Sequence, residues 1–272
     1  MKNRKEIVLI TGATSGIGLA CAKKFAANGH NLIITGRRAD RLNDISRQLT
    51  QDYSVKILTL NFDVRDNKAV QDALTNLPEA WTNIGILINN AGLAVGMDTI
   101  QGGEIDDWER MIDTNIKGLL YVSRAVLPGM TERRKGHVIN IGSIAGKEVY
   151  PYGNVYCSTK YAVDALTKGT RIDTVKYGIK VTQIAPGAIE TEFSVVRFKG
   201  DKNRADSVYK GFEPLHPEDI AEVVFYATTL PAHANINDLV IMPTAQASAT
   251  ILNKEQPLAG TYFSTQNQTH GD

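Results

Sequence analysis

The chain has 272 residues, a length that α/β folds commonly use as one domain and that leaves room for a sizeable core. Hydrophobic residues make up 43% and charged residues 22%, close to the soluble globular average, which excludes collagen-like, coiled-coil and disordered classes. Thirty Lys and Arg against 29 Asp and Glu leave a formal net charge of +1. No overall field draws such a chain to nucleic acid or anionic lipid, so the expected partner is a small molecule.

No apolar run reaches the roughly 18 residues that a membrane-spanning helix needs. The basic start Met1-Lys2-Asn3-Arg4-Lys5 imitates a signal peptide, but its apolar run Ile7 to Ile10 stops at Thr11-Gly12, so it reads as a cytoplasmic N-terminus. Short β-branched runs then alternate with longer helical patterns. Strands are predicted at about 6–10, 31–35, 55–60, 84–89, 136–141, 179–184 and 238–242, and helices near 16–28, 39–50, 66–76, 104–130, 153–177 and 217–229. This order predicts an α/β fold, a doubly wound parallel sheet of seven strands flanked by helices. Each strand is short and strongly apolar, as strands buried on both faces are.

Cys21 and Cys157 fall in predicted helices without a C-x-x-C motif and read as buried thiols. The five histidines stand too far apart to present paired ligands, and no metal site is expected. Residues 190–215 lack a clean period and follow a strand end, which suggests a substrate lid. The domain is placed at 1–252, with a polar tail over 253–272. The basic cluster Arg133-Arg134-Lys135 is isolated at a helix end and gives no support to nucleic-acid binding.

The first strand runs into Thr11-Gly12-Ala13-Thr14-Ser15-Gly16-Ile17-Gly18 and then a helix. Glycines let the backbone approach a pyrophosphate while free N–H groups and the helix dipole favour the anion, although a tight turn without ligand would look similar. At the end of the second strand, where an acidic residue would select NAD, the chain reads Thr35-Gly36-Arg37-Arg38. Two guanidinium groups suit a 2′-phosphate, so Arg37 and Arg38 point to NADP(H); the alternative is a solvated pair. Asp63 closes the third strand, either for an adenine amino group or as a helix cap.

Tyr156 and Lys160 stand at i and i+4 of a predicted helix and so share a face. A tyrosine working as acid and base near neutrality must lose about three units from a pKa of ~10, or about 4 kcal/mol. One unit charge near ~4 Å, at an effective dielectric of ~20, supplies roughly that. Taken alone, the pair could also be a surface contact. Ser143 follows the fifth strand, as a loop serine or as a donor to the reacting oxygen. Asn115 interrupts the apolar spacing of a long helix, and one reason for it would be a side chain or water inserted into the helix ladder at the cost of a local kink. Asn89-Asn90-Ala91-Gly92 closes the fourth strand beside the crevice.

Together the Thr11–Gly18 turn, Asn89-Asn90-Ala91-Gly92, Asn115, Ser143, Tyr156, Lys160 and Pro186-Gly187 resemble, in order and spacing, the short-chain dehydrogenase/reductase family over about residues 5 to 250. The resemblance implies a single Rossmann domain, usually a homotetramer through the two long helices. It implies Tyr156 as general acid/base, Ser143 orienting the substrate oxygen, Lys160 holding the nicotinamide ribose and Asn115 extending the proton relay. Gly12, Thr14, Ser15, Gly16, Ile17, Gly18, Asp63, Asn89, Ala91 and Gly92 would line the cofactor site, with Pro186, Gly187, Ile189 and Thr191 around the carboxamide. The segments 89–98, 191–194, 196–201 and 230–233 further resemble NADP-dependent 3-hydroxy acid dehydrogenases that act on serine and L-allo-threonine. Their carboxylate substrate wants a cation, for which Arg197 is the first candidate, ahead of Lys147 and Lys199. A reductase of 3-oxoacyl thioesters or broad carbonyl substrates would use the same tetrad, and a non-catalytic dinucleotide sensor could dispense with it.

Overall fold

In the computed structural model, which describes residues 5–254, seven stretches rich in Ile, Leu and Val pair into one sheet. They are β1 (Ile7–Ile10), β2 (Leu32–Gly36), β3 (Ile57–Asn61), β4 (Ile84–Asn89), β5 (His137–Ile141), β6 (Lys180–Pro186) and β7 (Asp238–Ile241). The order is β3-β2-β1-β4-β5-β6-β7, and every pairing is parallel. Connections leave in opposite directions from β1 and β4, which opens a crevice beyond the carboxyl ends of these two strands, the place where such sheets bind ligands. The single-domain, doubly wound Rossmann fold anticipated from the alternation is what the chain adopts.

Helices cover both faces: α1 (Gly16–Ala27), α2 (Ala39–Tyr53), α3 (Asn67–Thr75), α4 (Ile105–Ile112), α5 (Leu119–Arg133), α6 (Asn154–Thr174), α7 (Glu192–Arg197), α8 (Lys202–Ser207) and α9 (Pro217–Thr229). Strand geometry sends successive side chains to opposite faces. Val8 and Ile10 therefore join Phe25 of α1 and Val224 of α9 in one core, whereas Leu9 joins Val70 of α3 and Val122, Val126 and Met130 of α5 in the other. The ring of Phe25 meets Phe225 edge-on at 5.3 Å. Cys21 is fully buried in the first core, and burial pushes its thiol up to about 12.

Three expectations need correction. The outer strands are not buried on both faces: β3 is half-buried and β7 alternates exposed with half-buried residues, because a strand at the sheet margin has a neighbour on one side only. The helical stretch 104–130 is three pieces, since a π-helical segment, Asp113–Gly118, separates α4 from α5. The stretch 190–215 contains α7 and α8, capped by Thr191 and Asp201, each accepting a backbone N–H. Six residues are too few to display a helical period, which hid them from pattern reading. The anticipated polar tail beyond residue 254 lies outside the described residues, and among the described residues no helix is long and apolar enough to cross a membrane.

His137 is buried in β5, with Nε2 bonded to Thr182 Oγ1 of β6 at 2.8 Å. Burial, with a smaller contribution from the Lys180 charge, lowers its pKa from 6.5 to about 4. The unfolded chain therefore takes up a proton that the folded chain refuses, and stability falls as pH drops through that window. Urea titrations between those two pH values should show the wild type losing about 3 kcal/mol more than His137→Gln, which keeps a polar partner for Thr182 but does not titrate.

Candidate active site

Above the carboxyl ends of the strands lies a cleft of about 560 Å³. Its floor is the turn after β1. Thr11 Oγ1 accepts the N–H groups of Asn90 and Ala91, both at 3.0 Å, and Asn90 Nδ2 donates to the carbonyls of Thr11 at 2.9 Å and Gly12 at 3.1 Å. Gly12 and Gly16 have φ of +66° and +51°, left-handed backbone that favours glycine. A Cβ on Gly18 would stand 2.4 Å from the Gly12 carbonyl oxygen, so α1 can approach the turn only without a side chain there. The first-turn N–H groups of α1 have no partners inside the helix and no acidic residue lies among them. This cradle fits a pyrophosphate.

On the rim, Arg38 donates to Thr14 Oγ1 through Nε (3.1 Å) and Nη2 (2.8 Å), to Ser15 Oγ (2.9 Å) and to Glu192 (2.9 Å). Arg37 is largely exposed, 3.7 Å from Asp63. Asp63 lines the cleft but is engaged by the Arg65 backbone N–H at 3.0 Å and guanidinium at 2.8 Å. Burial would raise its pKa; the Arg65 hydrogen bonds and charge, with Arg37, carry it below the usual range.

The reactive residues come from separate elements. Ser143 follows β5 and lies within hydrogen-bonding reach of the Tyr156 phenol. Lys160, one turn along α6, donates from Nζ to the Ile141 carbonyl at 2.9 Å and stands 5.9 Å from the Tyr156 ring centroid. Asn115 sits in the π-helical segment, and its buried side chain reaches out of the helix to neighbouring elements. Its Nδ2 donates to Leu93 O (2.8 Å) and Thr159 Oγ1 (3.0 Å), and its Oδ1 accepts the Leu93 N–H (2.8 Å). A Cβ on Gly92 would lie 3.3 Å from Asn115 Oδ1 and 3.7 Å from Lys160 Nζ, which shows how closely these groups surround that backbone. Pro186, Gly187, Ile189 and Thr191 form the opposite wall.

Electrostatics here are governed by burial. Removal from water lowers Lys160 to about 8. The same effect, with Tyr150, raises Tyr156 above its ordinary value, while the Ser143 hydrogen bond and the Arg197 charge pull it back. Lys160 alone therefore does not suffice to activate the phenol, because desolvation opposes it at a large cost. Arg197, at the end of α7, lies over both tyrosine rings, 5.2 Å from the Tyr150 centroid and 5.7 Å from that of Tyr156. Its Nε and Nη2 are buried without a hydrogen-bond partner.

Three predicted residues are turned elsewhere. Asn89 is buried and donates to Ser123 Oγ (3.0 Å) and Asn140 Oδ1 (2.9 Å); strand alternation directs it into the core and Asn90 toward the turn. Lys147 is held by Asp164 at 2.6 Å and by Asp238, away from the cleft. Lys199 is paired with Asp107 at 2.8 Å. Sequence reading missed Tyr150, which has no motif around it, and Asn90, which the alternation could have found. Among the described residues no cluster of His, Cys, Asp or Glu could hold a metal ion.

A dinucleotide cradle joined to a Ser-Tyr-Lys-Asn group defines a class of oxidoreductase. A model of the short chain dehydrogenase family matches residues 6–202, and the chain belongs to that family. It is 48% identical over 244 residues to the NADP-dependent 3-hydroxy acid dehydrogenase YdfG of Escherichia coli (strain K12), covering 89% of this chain and 97% of the relative. Sulfoacetaldehyde reductase 2 of Chromohalobacter salexigens is also 48% identical, over 243 residues, covering 89% and 96%. The closed form of serine dehydrogenase complexed with NADP+ superposes with a TM-score of 0.85 at 47% identity, covering 92% of this chain and 100% of that one.

Because Gly18 is the point of closest approach, Gly18→Ala should weaken binding of the reduced dinucleotide by at least about tenfold, the order expected when a charge-assisted backbone contact is lost. Fluorescence titration measures it, with circular dichroism to show that the fold persists.

Proposed function

We propose that the protein transfers hydride between NADP(H) and a small hydroxy acid, such as serine or L-allo-threonine, whose anionic group is separated from the carbinol carbon by one carbon. The observation that carries this reading is the half-buried Arg197 guanidinium, set over the Tyr156 ring with Nε and Nη2 shielded from solvent and unpartnered and, among the described residues, no acidic partner. Shielded N–H donors without an acceptor are costly, and a carboxylate is the planar acceptor that matches the Nε and Nη2 pair. NADP(H) is favoured by Arg37 and Arg38 on the rim, and the relatives named for a 3-hydroxy acid are NADP-dependent.

Bound NADP(H) supplies or accepts the hydride at its nicotinamide. Tyr156 Oη takes the hydroxyl proton during oxidation and returns it to the carbonyl oxygen during reduction. Ser143 donates to the same oxygen and orients it. Lys160, its ammonium near the Gly92 backbone, would hold the nicotinamide ribose and add positive charge below Tyr156. Asn115 keeps the Leu93 backbone and Thr159 in place behind Lys160, at the position from which a proton chain would continue. Pro186, Gly187, Ile189 and Thr191 would enclose the carboxamide.

A second reading concerns the anion. Sulfoacetaldehyde also places its acid group one carbon from the reacting centre, so the same arginine could serve a sulfonate, and the relative of that name is equally similar. Rates with serine, L-allo-threonine and 2-hydroxyethanesulfonate, each paired with NADP+, decide between them. We also infer a homotetramer, which would cover Leu120 on α5 and Tyr161 and Ile172 on α6, apolar residues exposed in the single chain. A cytoplasmic location agrees with two unpaired, buried cysteines.

Tyr156→Phe should lower turnover by about 10²–10⁴ while NADPH affinity changes less than about twofold; equal loss of both would remove the assigned proton transfer. Arg197→Met should raise KM for the hydroxy acid by about 10–100-fold, the worth of a charged hydrogen bond, and leave a neutral carbonyl substrate nearly unaffected. A reductase of thioesters or broad carbonyl compounds would lose turnover in Tyr156→Phe in the same way but show no dependence on Arg197.

A further inference from the structure

The short helix α7 carries an ion network at one end and the substrate arginine at the other. Glu192, its first residue, accepts from Arg38 Nη1 at 2.9 Å and from Arg41 Nη1 at 2.8 Å. Arg197, its last residue, lies over Tyr150 and Tyr156. Six residues span about 9 Å, so the helix bridges the crevice from the rim beside the phosphate turn to the reacting phenol. Thr191, just before it, rests on that turn, its Cγ2 3.3 Å from where a Gly16 Cβ would stand. The far end is tied separately: the Arg197 carbonyl accepts the Gly96 N–H at 3.0 Å, and Lys199 pairs with Asp107.

We propose that Glu192 is a positioning residue for the reaction: clasped by Arg38 and Arg41, it fastens the near end of α7 across the dinucleotide crevice and so fixes Arg197 above Tyr156. This inference rests on the reading of Arg197 as the acid anchor. An isolated exposed ion pair contributes little, but this one is a network. One carboxylate is shared by two guanidinium groups, and Arg38 is itself preset by Thr14 Oγ1 and Ser15 Oγ. The charge persists across the working range, because the arginine hydrogen bonds and charges outweigh burial and hold the Glu192 pKa down to about 2. A loosened clasp would leave the fold and the proton-transfer group intact and let the guanidinium wander from the acid.

Steady-state kinetics with NADP+ and serine test this. Glu192→Gln should raise KM for serine three- to tenfold with kcat within about twofold, and should leave KM for a neutral alcohol unchanged. It should also speed release of NADPH in stopped-flow fluorescence. Arg41→Gln, which touches the clasp but not the cleft, should reproduce the KM effect, the double variant should be no worse than either single one, and Glu192→Asp should restore part of the loss. An unmoved KM in Glu192→Gln, beside a raised one in Arg197→Met, overturns the clasp alone. An unmoved KM in Arg197→Met overturns the acid anchor and the clasp with it. Tighter NADPH binding by Glu192→Gln would also overturn the clasp, because it would show Glu192 contending with the 2′-phosphate for Arg38.

Discussion

Everything in the cleft is placed relative to one hydroxyl. Thr11 Oγ1 accepts two consecutive backbone N–H groups from the end of β4, joining the two strands between which the connections reverse. Asn90 returns the contact through its side-chain amide, which occupies the Thr11 and Gly12 carbonyls. These bonds hold the phosphate turn open on its ligand side and closed on its sheet side. The Gly92 backbone continues from the same junction to Asn115 and Lys160, so the cofactor floor and the reactive group share one frame of reference.

The chemistry of the site is a contest between desolvation and charge. Lys160 is buried with a carbonyl partner and no carboxylate, which makes it a weaker cation than a surface lysine. Tyr156 is buried beside a second tyrosine, which favours the neutral phenol. Two influences oppose that: a local hydrogen bond from Ser143 and the charge of Arg197, brought in on a separate short helix. An acid substrate that engages Arg197 also places its own negative charge near the phenol, so substrate recognition and proton affinity are linked through the same guanidinium.

The central strands were legible because their apolar runs have no polar interruption, and parallel pairing between helical layers is the arrangement that buries both faces. The margins were legible as strands but not in their burial, since the Ile and Leu of β3 and β7 read like those of β1 although no further strand covers them. The turn glycines, Ser143, Tyr156 and Lys160 could be named because their spacing in the chain is also their spacing along one turn or one helix face. Asn89 and Lys147 could not be placed, because which way a strand-end amide points, and whether a lysine meets Asp238 from a strand nearly a hundred positions away, are facts of packing. Arg197 stood between these cases: its charge was visible, while its burial over two rings depended on a six-residue helix with no periodic signature.

The polar interruption at Asn115 has its physical form in the π-helical segment. Such a segment holds one residue more than an α-helical turn would. The wide turn absorbs that residue, so deleting one position between 113 and 118 would leave an ordinary α-helical turn with α5 still in phase with α4. Val122, Val126 and Met130 would keep their places in the second core. The extra residue therefore serves the site rather than the core. A deletion there would spare the packing of α5 and withdraw the Asn115 amide from Leu93 and Thr159.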